Sequence, residues 1–302
     1  MPLSDSPAHD IDALWPLCLE IARRRRAGAA PAAPGGAIDW RGAEGYALQG
    51  RWDAGATLLF ALLKPLLDLP ADGPNWAVGQ LGQSLDGCVA TQGGDSNFVN
   101  GPQVLVHLHR LRALSDAVVV GAGTASIDNP RLSTRRVRGP NPVRVVLDPG
   151  LRVPATAQVF TDGAAPTLLV CDVARQSEAA ARLGAERVLG VPGLVAGLGT
   201  PGASLDLAAL QSALRARGLR VLFVEGGGIT VSRFMAQGRL DRLHLSVAPV
   251  FIGGGRPGLQ LPRAAAMQDA LWPPCRLFTM GNDVLWDLDL RAAPAQVRRS
   301  AA

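Results

Sequence analysis

The residues whose types and spacing could do chemistry form short groups, and the most informative group begins at Glu225. This carboxylate ends the apolar run 221–224, which is rich in β-branched and aromatic residues and typical of a strand buried on both faces. Three glycines follow at 226–228, and a helical pattern starts at Ile229. Glycines let a backbone approach a phosphate closely, and a helix N-terminus offers unpaired N–H groups. The stretch therefore predicts either the pyrophosphate site of a nucleotide cofactor or a tight turn without a ligand.

A second candidate is Arg112, in a helix predicted to begin at Gly101 and Pro102 with Asn100 as a possible cap. Arg112 lies four residues after the apolar Leu108, so it falls on or beside the buried face of that helix. A buried guanidinium group needs an anionic partner. That partner is either a carboxylate of this chain or an anionic group of a substrate, and the sequence leaves both open.

The elements that must position these residues alternate between strands and helices from Trp76 onward. Strands are predicted at 76–81, 117–120, 143–147, 167–171, 187–191, 221–224, 243–247, 276–280 and 284–290, and helices from 101, at 174–183, at 205–217 and from 229. Such alternation indicates right-handed βαβ units and a mostly parallel sheet, in which ligands bind at the carboxyl ends of the strands. Glu225, the small-residue turn 121–124 and Asp148 are all expected at that edge.

The first quarter of the chain has a different character. One helix is predicted within 1–28 and another at 54–63, which Pro65 is expected to end or kink. The segment 29–36 is composed of Ala, Pro and Gly and is interpreted as a linker. No group of residues in this quarter suggests a particular chemistry.

Composition narrows the class of protein. The 302 residues are 48% hydrophobic, enough for one large or two modest cores, and the net charge of +5 suits anionic small molecules without indicating nucleic acid. The cysteines lack a C-x-x-C pair, so we expect no zinc site, no disulfide framework and a reducing compartment. No signal peptide is recognisable, and the most apolar stretch, 54–63, is too short to span a bilayer. We therefore expect a cytoplasmic protein without a membrane or nucleic-acid partner.

Six short motifs occur in an order that resembles a known family. They are Ser-Leu-Asp-Gly at 84–87, Arg-Ala-Leu-Ser-Asp-Ala at 112–117, Gly-Ala-Gly-Thr at 121–124, Asp-Asn-Pro-Arg-Leu at 128–132, Asn-Pro-Val-Arg at 141–144 and Glu-Gly-Gly-Gly at 225–228. Together they resemble the reductase domain of the bifunctional riboflavin-biosynthesis deaminase/reductase, which has a dihydrofolate-reductase-like fold. The resemblance covers about 76–290. It implies an α/β fold with a mostly parallel central sheet flanked by helices, a helical N-terminal extension over 1–75, and a basic flexible tail over 291–302.

The resemblance also implies an activity and a set of site residues. In that family NADPH reduces the ribosylamino group of a phosphorylated pyrimidine to a ribitylamino group, without a metal. Two carboxylates, Asp86 and Glu225, are candidates for the catalytic proton donor. The residues implied to bind the cofactor are Gly82, Phe98, Thr124, Asp128, Gly227, Gly228, Ile229 and Thr230, and those implied to bind the substrate are Ser96, Arg112, Leu132, Arg135 and Glu225. Relatives are usually homodimers, so a homodimer is expected here.

The sequence departs from the family pattern at several points. The H-x-E and P-C-x-x-C motifs of the zinc deaminase do not occur in it. Cys88 stands where Lys or Arg is frequent, Phe98 where Trp is frequent, and Pro149 where a Ser could hold the 2′-phosphate of NADPH; the nearby Arg152 could replace that hydroxyl. The departures leave NADH open as the cofactor and a related pterin or specialised metabolite open as the substrate. A different class also remains open, namely a non-catalytic nucleotide-binding or scaffold protein whose first 75 residues recruit a partner.

Overall fold

The computed structural model describes residues 8–96, 99–196 and 204–291. The cofactor role predicted for Phe98 and the basic tail predicted at the C-terminus from 292 onward lie outside these residues. The chain divides into two compact units, Met1–Pro74 and Asn75–Ala302. Each unit is built around its own pattern of helices and strands.

The N-terminal unit contains two helices and a short hairpin. Helices α1 (Ile11–Arg26) and α2 (Ala54–Leu67) pack against each other, and strands β1 (Ile38–Trp40) and β2 (Tyr46–Leu48) pair antiparallel. Each helix starts at an aspartate whose side chain accepts a backbone N–H, a favourable N-cap. Of the two expectations for Pro65, that it ends α2 is wrong, because the helix continues to Leu67 with Pro65 inside its last turn; that it kinks the helix stays a prediction. The hairpin was not expected from the sequence.

The second unit alternates strands and helices, as predicted. Its strands are β3 (Trp76–Ser84), β4 (Cys88–Ala90), β5 (Ala117–Gly121), β6 (Val143–Leu147), β7 (Thr167–Asp172), β8 (Val188–Val191), β9 (Val195–Ala196), β10 (Ser204–Leu205), β11 (Val221–Glu225), β12 (Arg242–Ala248), β13 (Arg256–Pro257), β14 (Cys275–Met280) and β15 (Asp283–Asp289). Its helices are α3 (Pro102–Leu114), α4 (Ala122–Ile127), α5 (Gln158–Thr161), α6 (Gln176–Leu183), α7 (Leu207–Ala216) and α8 (Gly228–Ala236).

Among the described residues, nine of these strands form one sheet in the order β14–β15–β12–β3–β11–β5–β6–β7–β8. The strands from β12 to β8 run parallel, and only β15 is antiparallel to its neighbours β12 and β14. The central strands are continuous apolar runs that are buried on both faces, which is why their sequences lack the alternation of a half-exposed strand. The prediction of a mostly parallel sheet is confirmed.

The order of the strands positions the functional edge. The chain leaves β3, builds β5 to β8 outward, and then returns to insert β11 between β3 and β5. Strand β12 then adds to the other side of β3. The carboxyl ends of β3, β5 and β11 are therefore neighbours, although β3 and β11 are far apart in the sequence. A change of strand order of this kind opens a crevice at the carboxyl edge of a parallel sheet.

Local details differ from the sequence predictions at two helix starts. Helix α3 is preceded by Gly101 as the N-cap instead of Asn100, and no side chain caps it. The small residues after β5 do not form a plain turn, because Ala122 already begins the short helix α4. The pairing of the short strands β4 and β13 was not expected either.

Candidate active site

A cavity of about 920 Å³ lies at the carboxyl ends of β3, β5 and β11. The last residues of these strands, including Gly82, Gly121 and Glu225, line it together with the first turns of α4 and α8. The volume falls within the range of pockets that bury a small molecule or cofactor. Most of the predicted cofactor residues meet here, namely Gly82, Thr124, Asp128, Gly227, Gly228, Ile229 and Thr230, together with the predicted substrate residues Ser96, Leu132 and Glu225.

The glycine turn between β11 and α8 is shaped by three different requirements. Gly226 has φ +150°, a conformation that side chains rarely adopt. At Gly228 a Cβ atom would lie 1.8 Å from the carbonyl oxygen of Gly258, so only glycine fits this close approach of two backbones. At Gly227, in contrast, a Cβ would meet only Thr124 Oγ1, at 3.6 Å. Gly227 therefore keeps open a space that a ligand could use, beside a helix start that no side chain caps.

Thr124 and Asp128 join helix α4 to this turn. The backbone N–H of Gly227 donates to Thr124 Oγ1 at 3.1 Å, which ties the starts of α4 and α8 together across the cavity edge. Asp128 caps the end of α4 and lines the cavity. Burial raises the pKa of the Asp128 carboxyl, although the positive charge of Arg256 opposes this effect.

Glu225 and Arg112 form a nearly buried ion pair at the end of β11. Arg112 Nε donates to Glu225 Oε2 at 2.8 Å, and Arg112 Nη2 donates to Glu225 Oε1, so the contact is bidentate. A third bond joins Arg112 Nη1 to the carbonyl oxygen of Ser133 at 2.9 Å. The anionic partner that the sequence required for Arg112 is thus a carboxylate of this chain, and it is Glu225 that faces the cavity.

Arg135 lies two residues after Ser133, and its surroundings differ from those of Arg112. Its guanidinium group is exposed, and the residue is not among those that line the cavity, whereas the next residue, Arg136, is. Partial burial of the residue, followed by the charges of Arg112, Arg136 and Arg131, lowers the pKa of Arg135, and the charge of Glu225 opposes this effect. This side of the site therefore carries an excess of positive charge, a suitable environment for an anion.

Asp86 lies outside the residues that line the cavity. Its Oδ1 accepts from Ser84 Oγ at 2.5 Å and from the backbone N–H of Ile252 at 3.1 Å, and its Oδ2 accepts from Gly253 N at 2.7 Å. These bonds, Ser84 first, lower the pKa of Asp86 to about 2. In this geometry Asp86 fastens the loop after β12 to the end of β3, and its catalytic role stays a prediction.

Two further predicted residues owe their position to packing. A Cβ on Gly82 would overlap Asn100 Oδ1, so the absence of a side chain on β3 allows Asn100 to lie against the strand. Leu132 is buried with φ +53°, an uncommon conformation for a branched residue. Such strain persists only where the surrounding structure fixes it, which indicates a rigid wall at this part of the cavity.

Four arginines line the cavity. The sequence analysis proposed one of them, Arg152, as a substitute for the hydroxyl that is missing at Pro149. It did not identify the other three, which are Arg136, Arg233 and Arg256. None of the four guanidinium groups forms an ion pair with a carboxylate in the described part of the chain. Arg233 could have been found from its spacing, since it lies three residues after Thr230 and so shares its face of α8. Arg256 could not, because it enters the site on β13 from a distant part of the sequence.

Neither a candidate metal centre nor a membrane-spanning helix is found among the described residues. Those residues contain no cluster of three or more His, Cys, Asp or Glu side chains arranged to hold a metal ion. Within the same ranges, none of the helices has the length and apolar character needed to cross a membrane.

Comparison with known structures defines the class of fold. The structure matches the riboflavin biosynthesis reductase Rib7 of Saccharomyces cerevisiae with a TM-score of 0.59 at 19% sequence identity, over 76% of this chain and 98% of that chain. The dihydrofolate-reductase-like α/β fold predicted from the sequence is therefore confirmed.

Comparison of sequences then identifies the family. A family model described as the RibD C-terminal domain matches residues 76–285, and this chain belongs to that family. The riboflavin biosynthesis protein RibD of Bacillus amyloliquefaciens is 37% identical over 172 residues, which are 57% of this chain and 44% of that protein. The chain thus spans less than half of this relative. A protein of Methanothermobacter thermautotrophicus named 2,5-diamino-6-ribosylamino-4(3H)-pyrimidinone 5′-phosphate reductase is 32% identical over 67% of this chain and 92% of its own length.

Proposed function

We propose that this chain is an NADPH-dependent reductase of riboflavin biosynthesis, which reduces the ribosylamino group of a phosphorylated pyrimidine to a ribitylamino group. The observation that carries the proposal is the convergence of the glycine turn 226–228 and the Glu225–Arg112 pair on one cavity. The turn suits a pyrophosphate, and the carboxylate beside it suits the hydroxyl and amino groups of the substrate. Relatives named as reductases of this pathway support the same reading.

The residues of the glycine turn fit a dinucleotide cofactor. Gly227 leaves room next to the first turn of α8, where the partial positive charge of the helix favours a pyrophosphate. Thr124 and Asp128 border the same space from α4 and would also contact the cofactor. When bound, NADPH would supply the hydride that adds to the sugar carbon attached to the amino group; the bond from that carbon to the ring oxygen breaks, and one proton from solvent or a side chain converts this oxygen to a hydroxyl group.

The protein's contribution is to align the two reactants and to exclude water. Glu225 is the one of the two predicted catalytic carboxylates that faces the cavity, and its bidentate contact with Arg112 fixes its direction. We assign it the role of accepting hydrogen bonds from the substrate. Asp86 does not line the cavity, and it would influence the site by holding the loop after β12 in place.

A preference for NADPH over NADH is proposed from two arginines at one end of the site. Arg152 and Arg233 line the main cavity and also an adjoining cavity of about 470 Å³. Neither is paired with a carboxylate of the described residues, so both are available for the 2′-phosphate that distinguishes NADPH. They would replace the hydroxyl that is missing at Pro149.

Replacing Arg152 with Ala tests the preference for NADPH. Loss of one charge-assisted contact should weaken NADPH binding by about tenfold or more, while NADH binding should hardly change. Titration of the wild type and the variant with both cofactors, followed by fluorescence, measures the difference. An equal loss of affinity for NADH would show that Arg152 does not bind the 2′-phosphate.

The central experiment measures cofactor oxidation with several substrates in parallel. The substrates are 5-amino-6-(5-phosphoribosylamino)uracil, 2,5-diamino-6-ribosylamino-4(3H)-pyrimidinone 5′-phosphate and dihydrofolate, each with NADPH and with NADH. Turnover of either phosphorylated pyrimidine, unaffected by a chelator, is expected. Turnover of dihydrofolate alone would favour the pterin alternative, and binding of NADPH without turnover of any substrate would favour a non-catalytic protein.

The assembly and location of the protein stay predictions. The homodimer expected from the resemblance would appear in light scattering as a mass twice that of one chain. A cytoplasmic location agrees with the expected use of NADPH and would be checked by fractionation.

A further inference from the structure

The segment 132–136 has no regular secondary structure, yet it is fixed residue by residue. Leu132 is 1% exposed, the carbonyl oxygen of Ser133 accepts from Arg112 at 2.9 Å, and Thr134 N donates to Asn141 Oδ1 at 2.6 Å. Loops without such anchors move readily, whereas this one is tied on both sides. The segment is therefore a rigid support for the side chains that follow it.

His109 on α3 anchors the end of that support. Its Nδ1 accepts the backbone N–H of Arg135 at 2.9 Å and that of Arg136 at 3.3 Å, and the ring is 3% exposed. Because Nδ1 is the acceptor, the proton of the neutral ring must be on Nε2. Burial and the charges of Arg112, Arg135 and Arg136 lower the pKa of His109 to about 3, so the ring keeps its acceptor at neutral pH.

The two residues held by this ring carry guanidinium groups that are available for a ligand. Both side chains are exposed, and neither pairs with a carboxylate in the ranges that the structure describes. Glu225 neutralises Arg112, but the charges of Arg131 and Arg136 around Arg135 still leave an excess of positive charge in this region. Arg136 lines the cavity, so an anion bound there would be part of a molecule that occupies the site.

We propose that His109 is a positioning residue for binding of the substrate's phosphate monoester. By accepting two consecutive backbone N–H groups, it sets the direction in which Arg135 and Arg136 leave the chain, so that both can reach one phosphate. His109 itself does not touch the substrate. The inference rests on the proposed function, since it needs a phosphorylated substrate, and it adds Arg136 to Arg135, which is one of the two arginines predicted from the sequence to bind the substrate.

The test compares three variants of buried histidines on α3. His109→Leu removes the acceptor, and His109→Asn keeps one, because Asn Oδ1 is attached to Cγ as Nδ1 is in histidine. His107→Leu is the matched control: it is also buried on α3, but its Nε2 contacts His244 Nδ1 at 2.9 Å and not the arginine segment. Thermal melts establish that each protein is folded at the assay temperature.

For His109→Leu we expect KM for the phosphorylated pyrimidine to rise about tenfold while kcat changes little, because ground-state binding of the phosphate is what is lost. The kcat/KM for the dephosphorylated substrate and the affinity for NADPH should stay at the wild-type level. His109→Asn should recover most of the KM, and His107→Leu should not shift it. An equal loss for both substrates, or an Asn variant as poor as Leu, would overturn the proposal.

A binding measurement separates failure of this inference from failure of the proposed function. Ribose 5-phosphate is titrated into the wild type and into His109→Leu by calorimetry. Weaker binding to the variant supports the positioning role even if no pyrimidine is turned over, in which case only the proposed function fails. Equal binding to both proteins, or none to the wild type, refutes the role of His109.

Discussion

Two arginines that the sequence analysis assigned to the substrate, Arg112 and Arg135, have different environments in the fold. Arg112 is neutralised by Glu225 and holds the backbone at Ser133, so it contributes to the architecture of the site whether or not it also contacts a substrate. Arg135 has no such partner among the described residues and lies near the positive charges of Arg131 and Arg136. Removal of Arg112 would leave the Glu225 carboxylate unpaired and disturb several elements at once. Arg135 is therefore the cleaner position for testing recognition of an anion.

For Arg135→Ala we expect kcat/KM with the phosphorylated substrate to fall by about one to two orders of magnitude, from the loss of about 1.5–3 kcal/mol per charge-assisted hydrogen bond. Arg135→Lys should recover part of it, because an ammonium group keeps the charge and loses the planar fork. Steady-state kinetics with phosphorylated and dephosphorylated substrates measures the effect, and NADPH affinity is the control. If the wild type uses both substrates equally well, Arg135 does not bind a phosphate.

At the scale of elements, helix α8 shows how one run of glycines serves both fold and function. Position 228 must be glycine because a side chain would overlap the backbone of Gly258. Position 226 favours glycine because its φ angle is positive. Substitutions at either position would therefore disturb the fold. Gly227 has φ −63° and open space around its Cβ position, so a side chain would affect mainly what binds beside it. The middle glycine is therefore the informative one for a binding experiment.

Gly227→Val is expected to weaken NADPH binding by about tenfold or more, because a branched side chain would fill the space next to the N-terminus of α8. Fluorescence titration measures the affinity, and circular dichroism verifies the fold. Gly36→Val serves as the control, since a Cβ there meets no atom within 4 Å. Unchanged NADPH affinity of a folded Gly227→Val protein would rule out a pyrophosphate at this turn.

The antiparallel end of the sheet contains ion pairs around a buried carboxylate. Asp287 on β15 is fully buried and pairs with Arg242 at 2.7 Å and with Arg276 at 2.6 Å. Burial alone would raise the pKa of Asp287, but the contact with His244 and the charge of Arg242 hold it below its usual range. This carboxylate therefore stabilises the fold while it is ionised.

Asp287→Asn should lower the free energy of unfolding by about 3–5 kcal/mol at neutral pH, because it removes the charge of a fully buried carboxylate that pairs with the buried Arg242 and the partly exposed Arg276. Since the folded-state pKa is depressed, the contribution of Asp287 is present above the unfolded pKa near about 4 and is lost as pH falls below it. Urea denaturation at several pH values measures both effects. The partly exposed Asp289→Asn is the control and should cost about 0–1 kcal/mol. Equal losses for both variants would contradict the assignment.

At the scale of the whole molecule, the match to the family model is confined to the second unit. The model covers residues 76–285, and the cavity is lined only by residues of the unit Asn75–Ala302. The N-terminal unit has its own two helices and hairpin, and no chemistry is recognisable in it. We therefore keep the prediction that residues 1–75 are dispensable for the reaction.

Truncation at about residue 70 should leave kcat within about twofold to threefold of the full chain, since such changes correspond to less than about 1 kcal/mol in the barrier. Steady-state kinetics and thermal melts of both proteins decide the question. A folded, soluble truncation without turnover would show that the first unit completes the site.

The sequence by itself determined the class of the fold and the location of its main motif. Apolar, β-branched runs such as 221–224 indicate buried strands, and the glycines after Glu225 indicate a close turn into a helix, because these properties depend mainly on neighbouring residues. The order of the six motifs then led to the family, and the family model confirms it. The ends of helices were predicted less accurately, as Pro65 and Asn100 show, because the residue that caps a helix is set by the positions of a few nearby atoms.

Tertiary structure alone decided which charges meet. Glu225 and Arg112 are 113 residues apart, yet they form a bidentate pair because β11 returns between β3 and β5. Arg256 reaches the cavity on a short strand with no recognisable pattern, and His109 accepts from amides 26 and 27 residues away. The period of a helix or strand predicts which residues share a face, but the partner of a buried charge is set by the path of the chain, which no local pattern contains.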